Sequence, residues 1–253
     1  MRNVDSKEKI QSFLDIPCLV EEAPNPVKLP KGPGRIVFEQ VTVENALTDF
    51  NAVFEPGLVY AIIGPNGAGK STMLSLIARL FDPDSGTIRI DGVDISTARL
   101  SSVRKAVGIV SPDLPLLRGT VDKNLRYRWR NAPEKEIDRV TSLCRIDEML
   151  KDLPEKRKTR VQDGGQNLSF GQRQRITLAR AILRKPKILL LDEANANLDA
   201  DSVEIFDEIV SNYTGTVIMV THRQDRLAAA NKVFYLDKSR LVEEEVPLKQ
   251  LIR

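Results

Sequence analysis

The chain has 253 residues and an apolar fraction of 42%, enough for one large α/β domain or a domain carrying a subdomain. Lys+Arg (38) nearly balance Asp+Glu (35), and a net charge of +3 argues against nucleic-acid binding through charge alone. Two cysteines, Cys18 and Cys144, offer no disulfide framework and suit a reducing compartment. No secretory signal is visible and no apolar run approaches the ~20 residues of a membrane span, so a soluble chain able to dock on a membrane protein is expected.

Residues 7–16, KEKIQSFLDI, predict a short helix around Ile10, Phe13, Leu14 and Ile16. Pro17, Pro24, Pro26, Pro30 and Pro33, with Gly32 and Gly34, exclude regular structure over 17–34, so residues 1–34 read as a linker. The folded body begins at RIVFEQVTV (35–43), whose alternation predicts a strand. AVFE (52–55) and LVYAII (58–63) predict two more, split by a turn at Pro56-Gly57. TIRIDGVDI (87–95) predicts a hairpin around Asp91-Gly92, and VGIV (107–110) a further strand. From 121 to about 153 the pattern is helical, an insertion between two α/β halves. The densest basic run, EKRKTR (155–160), reads as a solvated face or loop. A helix follows LSFG, with Ile176, Leu178, Ala179, Ile182 and Leu183 on its apolar side. Strand and helix then alternate: KILLLD (187–192), a helix near 200–212, TVIMV (216–220), a helix near 223–229, and KVFYLD (232–237). Runs such as ILLL and VIMV fit parallel strands covered on both faces.

GPNGAGKST (64–72) follows one strand and precedes the helical MLSLIARL, the context that the phosphate-loop pattern G-x-x-x-x-G-K-[ST] requires. Gly64, Gly67 and Gly69, with Pro65, Asn66 and Ala68 between them, let the backbone curl so that N–H groups point at phosphate oxygens. Lys70 reaches the β- and γ-phosphates, and Ser71, followed by Thr72, can hold Mg²⁺. ILLLDE (188–193) delivers Asp192 to the C-terminal end of a buried strand, where open α/β sheets bind ligands. Asp192 would hold Mg²⁺, and Glu193 would polarise an attacking water. His222, the one histidine, follows the strand TVIMV, whose end should lie beside that of 188–192; it would contact the γ-phosphate and fix the water. Ser169, Gly171 and Gln172 begin the helix after LSFG with a hydroxyl and free N–H groups, a second anion site.

Together GPNGAGKST, LSFGQRQR, ILLLDE, ANANLD (194–199) and TH (221–222) resemble, in order and spacing, the ATP-binding-cassette (ABC) ATPases, over residues 35 to about 243. VQDGGQNLSFGQRQR (161–175) and TVDKNL (120–125) are most similar to the nucleotide-binding domain of exporter-type transporters. The resemblance implies an α/β fold: a P-loop NTPase core with a mostly parallel sheet, an N-terminal antiparallel β subdomain and a helical subdomain inserted at about 121–184. Residues 35–253 would be the nucleotide-binding domain, and residues 1–34 the linker from a membrane domain. It implies MgATP as ligand, the transporter's transmembrane domain as partner, and a place at the cytoplasmic face of a membrane as a peripheral or fused domain. It also answers what the second anion site is for. In the family two domains pack head to tail, and the signature helix, here Ser169, Gly171 and Gln172, meets the γ-phosphate on the other copy's phosphate loop; Asp199 would cross the same interface.

Three positions depart from the family pattern. Phe170 replaces the glycine usual at the third position of the signature. Pro112 stands where a glutamine usually senses Mg²⁺ and the attacking water, with Asp113 next to it. The aromatic that usually stacks on adenine is deleted or replaced by Asn45, and Tyr60 is expected in the core. A degenerate, weakly hydrolysing regulatory half of a transporter is therefore the alternative expectation to an active ATPase. A DNA-repair cassette is disfavoured by the lack of a coiled-coil insertion.

Overall fold

The computed structural model describes residues 20–111, 114–192, 200–221, 224–237 and 239–244. The helix expected over 7–16 lies outside the described residues, as do Cys18, Pro112, Asp113, Glu193, the stretch 194–199 with Asp199, and His222.

In chain order the strands are β1 (Ile36–Val43), β2 (Leu47–Phe54), β3 (Val59–Ile63), β4 (Ser85–Ile90), β5 (Val93–Asp94), β6 (Val107–Val110), β7 (Gly119–Thr120), β8 (Arg160–Val161), β9 (Ile188–Asp192), β10 (Thr216–Val220), β11 (Lys232–Asp237) and β12 (Arg240–Glu244). The α-helices are α1 (Lys70–Ile77), α2 (Leu100–Ala106), α3 (Val121–Leu125), α4 (Glu134–Leu143), α5 (Ile146–Met149), α6 (Phe170–Ile182) and α7 (Ala200–Ser211). An antiparallel sheet runs β2-β1-β4-β5, and a six-stranded sheet runs β12-β11-β3-β10-β9-β6. In the larger sheet every pairing is parallel except β11 with β12.

The uninterrupted apolar runs have a direct cause. Along β3, β9 and β10 successive side chains alternate between two separate cores. Tyr60, Ile62, Leu190, Ile218 and Val220 pack with α1 and the antiparallel sheet. Ala61, Leu189, Leu191, Val217 and Met219 pack with α6, α7 and the helical insertion. Both faces are covered, so both sets of positions must be apolar. In the second core, burial pushes the Cys144 thiol up to about 12, which leaves it an inert packing group.

Several expectations need correction. β2 begins at Leu47, well before AVFE, because bulges in its pairing with β1 and positive φ at Gln40 (50°) and Asp49 (49°) break the alternation that would have revealed it. The helix expected near 223–229 is a 3₁₀ segment, Gln224–Ala229, with Leu227 buried at 8% exposure. The helical insertion is closed at its foot by the antiparallel pair β7–β8, which carried no strand pattern. The basic run at 155–160 is the solvated stretch expected, and on that surface Arg157 lies 3.0 Å from Glu134 and 3.8 Å from Asp138, both on α4. Other expectations hold, including the β4–β5 turn, where Asp91 (φ 49°) and Gly92 (φ 81°) take the left-handed conformations a two-residue hairpin needs.

Residues 20–34 contain no regular element beyond a bridge between Val27 and Ala98, yet they are fastened to the body. Val27 exchanges backbone hydrogen bonds with Thr97 (3.0 Å) and Arg99 (2.7 Å). The buried Arg79 guanidinium donates to Glu21 O and to Ala98 O, each at 3.0 Å. The strongest tie is Asp91. Its carboxylate accepts the N–H groups of Gly34 (2.8 Å) and Arg35 (2.9 Å) and pairs with Lys187 at the foot of β9, with side-chain exposures of 6% and 15%. One carboxylate thus joins the entering segment, the small sheet and the large sheet. Asp91→Ala would leave a shielded ammonium and two N–H groups without their acceptor. We expect unfolding in urea to show a loss of about 3 kcal/mol, with a smaller loss for Asp91→Asn; a loss below about 1 kcal/mol for the alanine variant would contradict this account.

Candidate nucleotide site

β3 ends at Ile63 and the chain turns at once. Gly64 has φ 145°, and a Cβ there would lie 2.1 Å from Leu236 O of β11, so only glycine lets the loop leave the sheet so close to its neighbour. Gly69 (φ 94°) begins α1, and a Cβ there would lie 2.7 Å from the Leu47 side chain and 2.8 Å from Ala46 O. Between them the loop closes on itself: the Ala68 N–H donates to Pro65 O at 3.3 Å. The Lys70 ammonium donates to Gly64 O (2.8 Å) and Pro65 O (2.7 Å), so it lies across the loop with only 7% of the residue exposed. Gly69 provides no side-chain cap to α1, and its first turn holds no acidic residue. No side-chain cap or carboxylate competes at the positive dipole end of α1, which favours an anion there.

A cavity of about 280 Å³ opens here, lined by Asn66, Gly67 and residues 69–72 of the loop, by Asn45 and Ala46 of the β1–β2 turn, and by Val220. The sheet register places the remaining groups. Val220 pairs with both Ile62 and Asp192, so the C-terminal ends of β3, β10 and β9 stand in one row. Asp192 thereby comes within 3.5 Å of the Ser71 hydroxyl, a contact between residues 121 apart in sequence. These two oxygens are hard donors suited to Mg²⁺, which keeps several waters and binds through few protein groups plus phosphate. A loop of converging N–H groups, a cation and this oxygen pair fit a Mg²⁺–triphosphate. Glu193 directly follows Asp192, and His222 follows Thr221 at the neighbouring strand end, though neither is among the described residues.

The second expected anion site is a capped helix start. The Ser169 hydroxyl accepts the Gln172 N–H (3.2 Å), and the Gln172 carboxamide accepts the Ser169 N–H (2.9 Å). The Arg173 guanidinium lies 5.6 Å from the Phe170 ring centre, so this ring is engaged one turn along its own helix. No residue of 168–172 lines the phosphate-loop cavity. Tyr60 is core, 1% exposed, with its ring 5.0 Å from Phe54 and its hydroxyl accepting the Glu55 N–H at 2.7 Å; burial raises its pKa.

A feature the sequence reading missed is an apolar groove of about 400 Å³ beyond the end of β6. Val107, Ile109 and Ala181 lie in it, and Leu80, Leu114, Leu117 and Tyr127 stand exposed around it. Its wall is tied inward: Arg180 of α6 donates to Leu114 O (2.7 Å) and Pro115 O (3.2 Å), and the buried Asn124 side chain pairs with both backbone groups of Leu117 at 2.8 Å. The only sequence signal was the apolar character of LPLL (114–117), shortly after a strand.

The model of the ABC transporter family matches residues 47–196. The chain belongs to the ABC transporter family. It is 36% identical over 246 residues to the ABC transporter ATP-binding protein YknV of Bacillus subtilis, covering 94% of this chain and 41% of that protein. It is 33% identical to the heavy metal tolerance protein of Schizosaccharomyces pombe, covering 95% and 30%. A bacterial Atm1-family ABC exporter solved with ATP bound superposes with a TM-score of 0.90 at 31% identity, over 99% of this chain and 45% of that one. The chain thus spans less than half the length of these ABC relatives, and it corresponds to the nucleotide-binding domain of an exporter-type transporter with a P-loop NTPase fold.

In this ABC domain the base side of the cavity is narrow in chemistry. Val43 pairs with Leu47, so only residues 44–46 form the turn above the phosphate loop, and Asn45 (φ 60°) and Ala46 are its contribution to the lining. Stacking on a base contributes about 1–3 kcal/mol. We expect the chain to bind MgATP and MgGTP within a few-fold of one another, and Asn45→Tyr to tighten MgATP binding about tenfold. Titration calorimetry checks both; low-micromolar MgATP binding by the parent with strong discrimination against MgGTP would contradict the expectation.

Proposed function

We propose that this chain hydrolyses ATP and that the cycle of binding and hydrolysis drives the membrane helices of an exporter. The observation that carries this reading is the meeting of Ser71 and Asp192 at the mouth of a loop already spanned by Lys70. The loop N–H groups and Lys70 would hold the β- and γ-phosphates, while Ser71 and Asp192 would hold Mg²⁺, which supplies charge neutralisation between phosphate oxygens. Glu193 would orient and polarise the attacking water, and His222 would fix that water against the γ-phosphate.

The reading makes each chain half of a site. Ser169, the Gly171 N–H and Gln172 contribute nothing to the cavity of their own chain, which supports closure of two copies head to tail, with Asp199 crossing the same interface. Residues 1–34 would lead in from a transmembrane domain, residues 35–253 would form the nucleotide-binding domain with its helical subdomain at about 121–184, and the chain would work at the cytoplasmic face of a membrane. No helix among the described residues is long and apolar enough to cross one. The apolar groove would seat a helix of that transmembrane domain, and Arg180 would carry its movement to α6, whose first turn holds the partner's nucleotide. The rim formed by Asn45 and Ala46 favours one second reading, a regulatory half that binds nucleotide and hydrolyses it slowly.

Glu193→Gln should preserve MgATP binding and stop water activation, so that a closed dimer accumulates. Size-exclusion chromatography at tens of micromolar protein should show a dimer with ATP and a monomer without it. A variant that stays monomeric would contradict the symmetric pair. Lys70→Ala removes a charged hydrogen bond worth about 1.5–3 kcal/mol, so turnover should fall at least tenfold; activity within twofold of the parent would overturn the site assignment.

A further inference from the structure

Arg104 and Arg128 line the apolar groove and also a second, open channel of about 730 Å³ that continues from it. One wall of the channel is the entering segment at Val20, Glu22 and Pro26; the other is α2 with Arg99, Arg104 and Lys105, and Arg184 closes it beside Arg128. Among the described residues none of these five cations forms an ion pair. The one carboxylate in the lining, Glu22, already accepts the Leu100 N–H at 2.7 Å.

Two of the cations are held in place. The Arg128 guanidinium donates to Val107 O at 2.8 Å and to Arg104 O, the last carbonyls around α2. Burial lowers its pKa, and Arg184 and Arg180 lower it further, so this charge is shielded from water and faces like charges. Arg184 lies 5.5 Å from the Trp129 ring centre, stacked on a side chain packed against the core. Guanidinium groups fixed in this way lose little freedom on meeting a carboxylate, and an arriving anion relieves their mutual repulsion. The channel adjoins an apolar groove through Arg104 and Arg128, so apolar and cationic surfaces meet as an amphipathic helix requires.

We propose that the helix docking in the apolar groove runs on into this channel with two or more carboxylates, so that the domain selects a transmembrane partner whose docking helix is apolar at one end and acidic at the other. This rests on reading the groove as the docking site. The test is selection of a random-peptide display library on the immobilised chain and on the Arg104→Glu/Lys105→Glu variant, with Tyr127→Asp as the check that binding uses the groove. The chain should enrich peptides with an apolar cluster followed by Asp or Glu. Glu→Gln versions of those peptides should bind about tenfold more weakly, the charge-reversal variant should lose the preference, and 0.5 M NaCl should erase it. Groove-dependent peptides without acidic enrichment would overturn the inference and leave the docking reading standing. No peptide sensitive to Tyr127→Asp would overturn both. Charge-reversal-sensitive binding to phosphatidylserine vesicles without acidic peptides would show the channel to be a membrane-facing surface and overturn the inference.

Discussion

The parallel register of β3, β10 and β9 is the constraint on which the site depends. It sets Ile62, Val220 and Asp192 in one row. The chain leaves β3 into the phosphate loop, leaves β9 into Glu193, and leaves β10 toward His222. A slip of one residue in either pairing would turn the apolar sets into the wrong cores and draw Asp192 away from Ser71. The register is therefore protected by both cores at once, since Leu190 and Ile218 pack on one face of the sheet while Leu189 and Val217 pack on the other.

Much of the large sheet could be read from residue type, because a strand buried on both faces has no choice but an apolar run: VGIV and TVIMV coincide with β6 and β10 residue for residue. β2 was only half visible. Its first turn of chain, LTDFN, is half solvent-facing and passes two bulges, so neither alternation nor an unbroken run marks it. β7 and β8 are two residues each and owe their existence to the closure of the helical insertion, a tertiary fact with no local pattern. The entering segment illustrates the converse. Its prolines correctly exclude a helix or long strand, yet its attachment through Arg79, Asp91 and Lys187 comes from side chains distant in sequence, and no local feature announces it.

The phosphate-loop half of the site was readable because its residues are consecutive and form a recognised pattern, in which Gly64 and Gly69 are required by close neighbours and Gly67 by its positive φ. Ser71 and Asp192 were readable as a pair from the phosphate-loop motif and the buried strand end, and the structure supplies the contact between them. The apolar groove and the arginine channel were not readable. Their residues come from the entering segment, the turn after α1, α2, β6, the segment after it, the insertion and the end of α6, and each looks ordinary in its own stretch. Under the proposed function the same geometry would link groove and nucleotide. Arg180 binds the groove wall from within α6, the helix whose capped start at Ser169 is the proposed contact to the other copy's nucleotide. A rigid α6 would pass movement at one end to the other, the route by which we propose that a docked helix is coupled to nucleotide closure.

The central claim is that one chain holds only half of each catalytic site. It is tested most directly by the rate of Mg²⁺-dependent ATP hydrolysis per mole of this chain, measured across a wide range of protein concentration. The account predicts a specific activity that rises with concentration toward a plateau, as pairs form and each phosphate loop meets the other copy's Ser169. A specific activity independent of concentration would mean a site complete within one chain, and absence of turnover at every concentration would mean a binding module; either result would contradict the account.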